Sequence, residues 1–349
     1  MTIDTIRRQS ESFAKKSKWR AFPKVELHRH LEGALRLETV VELAPQVGID
    51  LPKDPKKIRE HFLVETPMTD LGSVLRKFLH TQKVLHSEEV LQRIAFEAVE
   101  DAFNEGIRIL ELRYAPTFIA AGHSHLNFHK IHRAIHRGLE KATAKYPIKA
   151  GLIFTFQRSL TKEENKKALK FAIESADSFI GFDLADDEAV APAKDFADLF
   201  SELQKLNKGI TIHAGEANSP NAPQNVLESI QYLGARRIGH GLQIIHSPEI
   251  IKIVADKKIP LEICPFSNYL TRAIPDLKSH PINALKRAGV LITVNSDDPG
   301  IFGMDLTHEY DLLANDYGWT EKDFEEANLI AARASFIPDA EIFWSQLKN

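Results

Sequence analysis

The sequence predicts a (β/α)8 barrel of the TIM type, an α/β fold, with an extra helical insertion after the first strand and further helices at the C-terminus. Two observations point to it. Eight short, apolar, β-branched runs alternate with longer segments of helical period, which is the arithmetic of eight strands each followed by a helix. The short runs are also near-continuously apolar, as parallel strands covered on both faces should be. The 349 residues fit one such unit, because barrels of this kind often exceed 250 residues.

In chain order the expected strands are Lys24 to His30, Arg108 to Tyr114, Lys149 to Phe156, Phe179 to Ala185, Ile210 to Gly215, Arg236 to Gly241, Leu261 to Pro265 and Leu291 to Asn295. Helical patterns lie between them at Glu89 to Phe103, Phe128 to Ala144, Lys162 to Ala176, Pro192 to Leu206 and Pro248 to Ala255. Pro223 to Leu233 and Pro281 to Ala288 read the same way, each with proline at the first helical position, where it is tolerated. The segment of about residues 35–87 is too long for a single crossover. Its stretch Thr69 to Gln82 places Leu71, Val74, Leu75 and Phe78 on one apolar face, which either packs on the barrel or closes over a site after strand 1. The helices from Leu306 onwards are expected to cover a flank. No linker divides the chain, so residues 1–349 read as one domain, with an N-terminal extension over residues 1–22.

Composition excludes several classes. Hydrophobic residues make up 43% and charged residues 27%, an ordinary globular balance with material for a sizeable core. Forty-five basic against 48 acidic residues leave a net charge of -3, which favours neither nucleic acid nor an anionic membrane. The single cysteine, Cys264, excludes an intrachain disulfide and a thiolate metal cage, and its apolar setting reads as a buried structural thiol. The first twenty residues are polar and basic without the apolar stretch of a secretory signal, and no run reaches the ~20 apolar residues of a membrane span. A cytoplasmic protein is expected.

Four motifs carry chemistry. In Glu26-Leu27-His28-Arg29-His30, strand alternation puts His28 and His30 on one face and Arg29 on the other, close enough for two imidazoles to converge on one ion. His213-Ala214-Gly215-Glu216 follows an apolar strand, with Glu216 on the loop beyond it. Gly239-His240-Gly241 ends strand 6, its glycines permitting close approach of backbone or ligand. Asn295-Ser296-Asp297-Asp298-Pro299 follows strand 8. Taken singly, each motif also fits a structural role: incidental histidines, or aspartates in a solvated turn. Together they fall at the C-terminal ends of strands, the face on which barrel enzymes build their sites. Three imidazoles and a carboxylate suit zinc's preference for nitrogen and oxygen donors.

The chain resembles the adenosine deaminase family of aminohydrolases. The resemblance runs from about Pro23 to Pro338 through PKVELHRHLEGA, ELRYAP, FDLADDE, HAGE, RIGHG, EICPFSNYLT and NSDDP. It implies one zinc ion per chain, with His28, His30 and His213 as imidazole ligands and Asp297 as the carboxylate ligand. It also implies proton transfer by Glu216, orientation of the attacking hydroxide by His240, and contact of Asp298 with the purine ring; His30 is counted among the substrate contacts as well. The residue types suit the reaction independently: replacing an aromatic amine by water needs an activated water, acid assistance at a ring nitrogen and a proton for ammonia. The nucleobase deaminases that ligate zinc through a Cys-x-x-Cys pair are excluded by the single cysteine.

The expected partner is a small purine nucleoside or base, with adenosine or 2′-deoxyadenosine first. Adenine or a 5′-modified adenosine such as aminodeoxyfutalosine is the alternative, because the likeness departs at substrate-facing positions. Glu32 stands where adenosine deaminases usually have aspartate toward the ribose 5′-hydroxyl. Asp186 replaces a glycine whose backbone N–H contacts the purine, and Val74 replaces a bulkier lid residue. A binuclear amidohydrolase or phosphotriesterase would use a strand-4 lysine, which Phe179 to Ala185 lacks. A non-catalytic binding protein would have lost Glu216 or a ligand, and none is lost.

Overall fold

The computed structural model describes residues 17–347, so residues 1–16 of the expected N-terminal extension lie outside the described part. Among the described residues there are eight strands: β1 Lys24–His30, β2 Ile107–Tyr114, β3 Lys149–Gln157, β4 Gly181–Ala185, β5 Gly209–Ala214, β6 Arg237–His240, β7 Leu261–Ile263 and β8 Ile292–Val294. They pair in sequence order, and every pair is parallel. The expected TIM-type barrel is therefore present.

The barrel closes between β8 and β1 through a short seam. One parallel bridge joins Arg29 and Asp297, with His30 N donating to Asp297 O at 2.9 Å and Asp297 N donating to His28 O at 3.0 Å. Below it, side chains take over the pairing: Leu27 N donates to Asn295 Oδ1 at 3.0 Å, Ser296 N to Glu26 Oε1 at 2.9 Å, and Val25 N to Asn328 Oδ1 at 2.8 Å. Buried backbone donors are thus satisfied where no strand lies alongside.

Expected boundaries shift where local chemistry competes. β4 begins at Gly181, because Phe179 N–H is bonded to Ala176 O in the preceding turn. β7 stops at Ile263, since Pro265 opens the helix Pro265–Leu270 at its first position. β8 stops at Val294, and Asn295 serves the seam by its side chain. The expected helix over Pro192 to Leu206 starts as a 3-10 turn, Ala193–Phe196, and becomes α-helical over Ala197–Gln204.

The insertion forms three helices: α1 Leu37–Leu43, α2 Pro55–Phe62 and α3 Leu71–Val84. Asp70 caps α3, its carboxylate accepting from Ser73 N at 2.7 Å, so Thr69 and Asp70 precede the helix rather than belong to it. Val74 of α3 is buried in a cluster with Val64, Leu270, Ile301 and Phe302, which anchors the helix across the upper mouth.

The C-terminal helices cover more than the flank expected of them. Glu321–Ala334 packs on β8 and β1, while Phe336 plugs the lower mouth so tightly that a Cβ at Gly209 would lie 2.0 Å from its ring. The Arg237 guanidinium sits 3.6 Å from the centre of that ring. Access to the interior is therefore from the C-terminal ends of the strands.

The interior corrects one expectation. The strands are not uniformly apolar, because Glu111, Arg113, Asp183, Thr211, Arg237 and Glu262 are all buried within the barrel. Glu111 and Arg113, two residues apart, share one face of β2, as the period of a strand requires. Arg113 donates to Asp183 at 3.0 Å and Glu262 at 2.8 Å; Arg237 donates to Glu262 and Glu111, both at 2.6 Å. The ion-paired layer rests on the Phe336 plug and carries the site above it.

Candidate active site

At the end of β1 a bulge sets the first two histidines. Glu26 pairs with Leu110 and Arg29 with Leu112, so Leu27 and His28 together oppose one residue of β2. The extra residue brings Glu26 beside Arg29, their side chains 3.1 Å apart, although unbroken alternation would have set Glu26 with His28 and His30. Arg29 is further held by Glu105 at 2.7 Å, away from the two imidazoles. The rings of His28 and His30 have centres 5.4 Å apart.

His213 at the end of β5 and Asp297 after β8 complete a group of four that could hold a metal ion. His30 Nε2 lies 3.1 Å from His213 Nε2, and Asp297 Oδ1 lies 3.3 Å from His28 Nε2 and 3.4 Å from His30 Nε2. Donors about 2.1 Å from a tetrahedral ion stand about 3.4 Å from one another, so this spacing is that of a shared centre. The hydrogen-bond pattern agrees. His28 Nδ1 is bonded to Glu262 at 2.8 Å and His213 Nδ1 to Asp183 at 3.0 Å, which leaves both Nε2 atoms as lone-pair donors. His28 Nε2 is buried with no hydrogen-bond partner, a costly state that a bound cation relieves. Burial holds His30 and His213 below the usual imidazole range, favouring the neutral form that ligates. Burial opposes the charge of Asp297, yet His28, His240 and His30 hold its carboxyl well below the carboxylate range.

Glu262, Asp183 and Arg113 went unnoticed in the sequence, although EICPF, FDLADDE and ELRYAP contain them. The signal was a charge flanked on both sides by apolar or aromatic residues within a buried strand. Burial works against ionisation of Glu262, but Arg113 and Arg237 hold its pKa well below the ordinary value. Ser267 is another such residue, its hydroxyl donating to Asp297 Oδ2 at 2.7 Å.

Glu216 and His240 stand beside this group. His240 Nε2 is 3.6 Å from Glu216 Oε2 and 3.9 Å from Asp297 Oδ2. Burial, then the charges of Asp297 and Glu188, push the Glu216 carboxyl well above its usual range, which favours its protonated form. Its loop is gripped by Glu188, whose carboxylate accepts from the backbone N–H groups of Gly215, Glu216 and Ala217 at 2.9, 2.7 and 2.7 Å. Glu188 was also missed; nothing in the spacing of DLADDE tells its last carboxylate from a solvated one. Gly239 has its role in packing, since a Cβ there would come 3.0 Å from the His28 ring.

Asp186, His240 and Asp297 all adopt left-handed backbone, with φ of 85°, 61° and 63°. Such conformations cost about 1–3 kcal/mol each outside glycine and gather where a site dictates them. At Asp186 the carboxylate accepts from Asp187 N at 2.9 Å and is bonded to the Ser159 hydroxyl. We therefore expect Asp186→Gly to change kcat/KM for the preferred substrate by less than about threefold, since the side-chain bonds lost there run to Ser159 and to the adjacent Asp187 N–H and none reaches the donor cluster. A steady-state comparison that found a large loss would give the carboxylate a direct role in substrate recognition.

A cavity of about 160 Å³ opens above these groups. Its floor includes His30, Glu32, His213, Glu216, His240, Asp297 and Asp298, and its apolar walls include Leu71, Val74, Leu75 and Phe78 of α3 with Phe118 and Phe302. The apolar face of α3 lines this cavity, while Val74 also packs against Val64, Leu270, Ile301 and Phe302. Glu32 Oε1 accepts from Ala115 N at 2.7 Å, and burial raises its carboxyl to about 7. Asp298 lies across Gly33, where a Cβ would fall 1.8 Å from Oδ1, and that oxygen has no hydrogen-bond partner. Burial and the neighbouring Asp297 and Glu32 carboxylates raise the Asp298 carboxyl well above its usual range. Cys264 is buried with its thiol pKa raised by burial, as a structural residue should be. No helix among the described residues is long and apolar enough to cross a membrane.

Comparison with known proteins agrees with this geometry. The family model for adenosine deaminase matches residues 23–342. An adenosine deaminase of Plasmodium falciparum is 34% identical over 324 residues, covering 92% of this chain and 88% of that protein. An amidohydrolase from Burkhoderia ambifaria with bound zinc superposes with a TM-score of 0.83 at 26% identity, covering 94% of this chain and 90% of that one. An adenine deaminase from Arthrobacter aurescens superposes with a TM-score of 0.86 at 24% identity, covering 93% of this chain and 98% of that one, and shares the fold. The chain thus belongs to the adenosine deaminase family, hydrolases that act on C–N bonds.

Proposed function

We propose that the protein deaminates adenosine and 2′-deoxyadenosine to the corresponding inosine compound and ammonia. It does so with one zinc ion per chain held by His28, His30, His213 and Asp297. The observation that carries this reading is the convergence of three imidazoles and one carboxylate, with His30 Nε2 3.1 Å from His213 Nε2 and Asp297 Oδ1 3.3 and 3.4 Å from the Nε2 atoms of His28 and His30, flanked by Glu216 and His240. A zinc ion held there supplies Lewis acidity and a water-derived nucleophile at neutral pH.

The chain's own groups supply the rest. Glu216, in its protonated form, donates its proton to the ring nitrogen beside the amine-bearing carbon, which makes that carbon electrophilic. His240 steers the attacking oxygen. Glu216 then recovers a proton from that oxygen and passes it to the departing amine as ammonia. Asp298, whose buried carboxyl is raised toward its protonated form and whose Oδ1 is unpartnered, offers in that form a hydrogen bond to an acceptor nitrogen on the other side of the purine. The α3 face and Phe118 exclude water from the base.

Charge narrows the substrate. Among the described residues lining the cavity there is no lysine or arginine, whereas Glu32, Asp186, Glu216, Asp297 and Asp298 all border it. A phosphate or carboxylate on the sugar would meet no cation and several acidic groups. This argues for a neutral nucleoside over an anionic 5′-modified one. Adenosine 5′-phosphate is expected to be deaminated at least about 100-fold more slowly than adenosine in parallel kcat/KM measurements, the cost of an unpaired charge in a buried site. Equal rates would require a cation that the cavity lacks and would sink the neutral-substrate reading. Glu32 decides between nucleoside and free base: Glu32→Asp is expected to shift preference further toward adenosine over adenine, and an unchanged ratio would remove Glu32 from the sugar site.

A further inference from the structure

We infer that Asn268 and His280 are positioning residues that fix His240 as the tautomer protonated on Nε2, through a chain of hydrogen bonds that begins at a backbone N–H. What His240 does with that proton rests on the deaminase reading above; the tautomer itself does not. Ile282 N donates to His280 Nδ1 at 3.1 Å, His280 Nε2 is 3.2 Å from Asn268 Oδ1, and Asn268 Nδ2 is 3.1 Å from His240 Nδ1. All three side chains are buried: Asn268 is wholly inaccessible, and His240 and His280 are 1% and 5% exposed.

The direction of the chain follows from its first link. A backbone N–H can only donate, so His280 Nδ1 must be a lone pair and His280 must carry its proton on Nε2. That proton needs an acceptor, which only the oxygen of the Asn268 amide provides. The amide nitrogen is then left to face His240, where it donates to Nδ1. Turning the amide over would require His280 to accept at both nitrogens, which neither neutral imidazole nor imidazolium allows. His240 Nδ1 is therefore an acceptor, and the neutral ring carries its proton on Nε2, the atom that faces Glu216 and Asp297.

The consequence is a division of labour. His240 enters the reaction as a hydrogen-bond donor to the incoming oxygen and has no lone pair with which to take that oxygen's proton. Glu216 is left as the group that moves protons. The left-handed backbone of His240, at φ 61°, aims the ring along this line between Asn268 and the donor cluster.

The test uses full-length protein, zinc-loaded and labelled with 15N-histidine, in which long-range 1H–15N spectra distinguish protonated from bare ring nitrogens. His240 and His280 are each expected to carry the proton on Nε2, with Nδ1 bare. In Asn268→Asp the amide donor becomes an acceptor, so His240 should acquire a proton on Nδ1. kcat should then fall at least about 100-fold with KM changed less than about threefold, at unchanged zinc content and thermal stability. A wild-type spectrum with His240 protonated on Nδ1 alone would overturn the inference, as would an Asn268→Asp protein with unaltered tautomer and turnover. If that variant does not fold, the wild-type spectrum decides by itself. A protein that releases no ammonia yet carries the Nε2 proton on His240 would refute the deaminase reading and leave the hydrogen-bond chain standing.

Discussion

Glu216→Gln is expected to keep the metal and the fold while lowering kcat by about 10²–10⁴-fold, the range associated with a lost general acid–base. The amide preserves the shape of the side chain and can still meet His240, 3.6 Å from Oε2 in the native protein. It cannot hand a proton to the purine ring or collect one from the attacking water. The Glu188 grip on the loop involves only backbone N–H groups and should survive the change. Steady-state kinetics with zinc analysis on the same sample would check this: near-native turnover would remove Glu216 from its role, and loss of zinc would make it a structural residue instead.

The second large effect is expected at Glu262, below the site. Its two oxygens serve four partners: His28 Nδ1 at 2.8 Å, Arg113 at 2.8 Å, Arg237 at 2.6 Å and Thr211 at 2.9 Å. Glu262→Gln removes the charge that two buried guanidiniums share and sets an N–H against donors. Breaking a buried ion pair from one side costs about 3–5 kcal/mol, because the partner charge stays behind in the interior. The same change frees His28 to turn or to protonate on Nε2, so zinc affinity should drop about 10–100-fold, as is usual when a ligand loses its supporting carboxylate. Urea denaturation and competition with a chelator read the two effects separately. A variant as stable as the native protein, with native zinc affinity, would mean that Arg113 and Arg237 are neutralised by Asp183 and Glu111 alone.

Much of this was legible in the sequence, for a physical reason. The barrel announces itself because parallel strands and their covering helices have different periods, and each strand end carries a motif that stands out from its apolar surroundings. His28, His30, His213, Glu216, His240, Asp297 and Asp298 come together as expected because the C-terminal ends of parallel strands converge on one face. What supports them was hidden. Glu262 and Asp183 are single carboxylates in short strands, and only the closed barrel reveals that they sit under His28 and His213. Asn268 and His280 are twelve residues apart with a loop between them, so no periodicity connects them. The bulge in β1 was invisible too, since it depends on register against β2 rather than on any feature of KVELHRH.

The most direct measurement is ammonia release from adenosine by two preparations of the same protein, one stripped by chelation and one reconstituted with zinc. Turnover is expected in the reconstituted sample, with stoichiometric inosine, little activity in the stripped one, and saturation at one zinc per chain. Full activity in the metal-free protein, or no ammonia from adenosine at any zinc loading, would contradict the proposed zinc-dependent deamination.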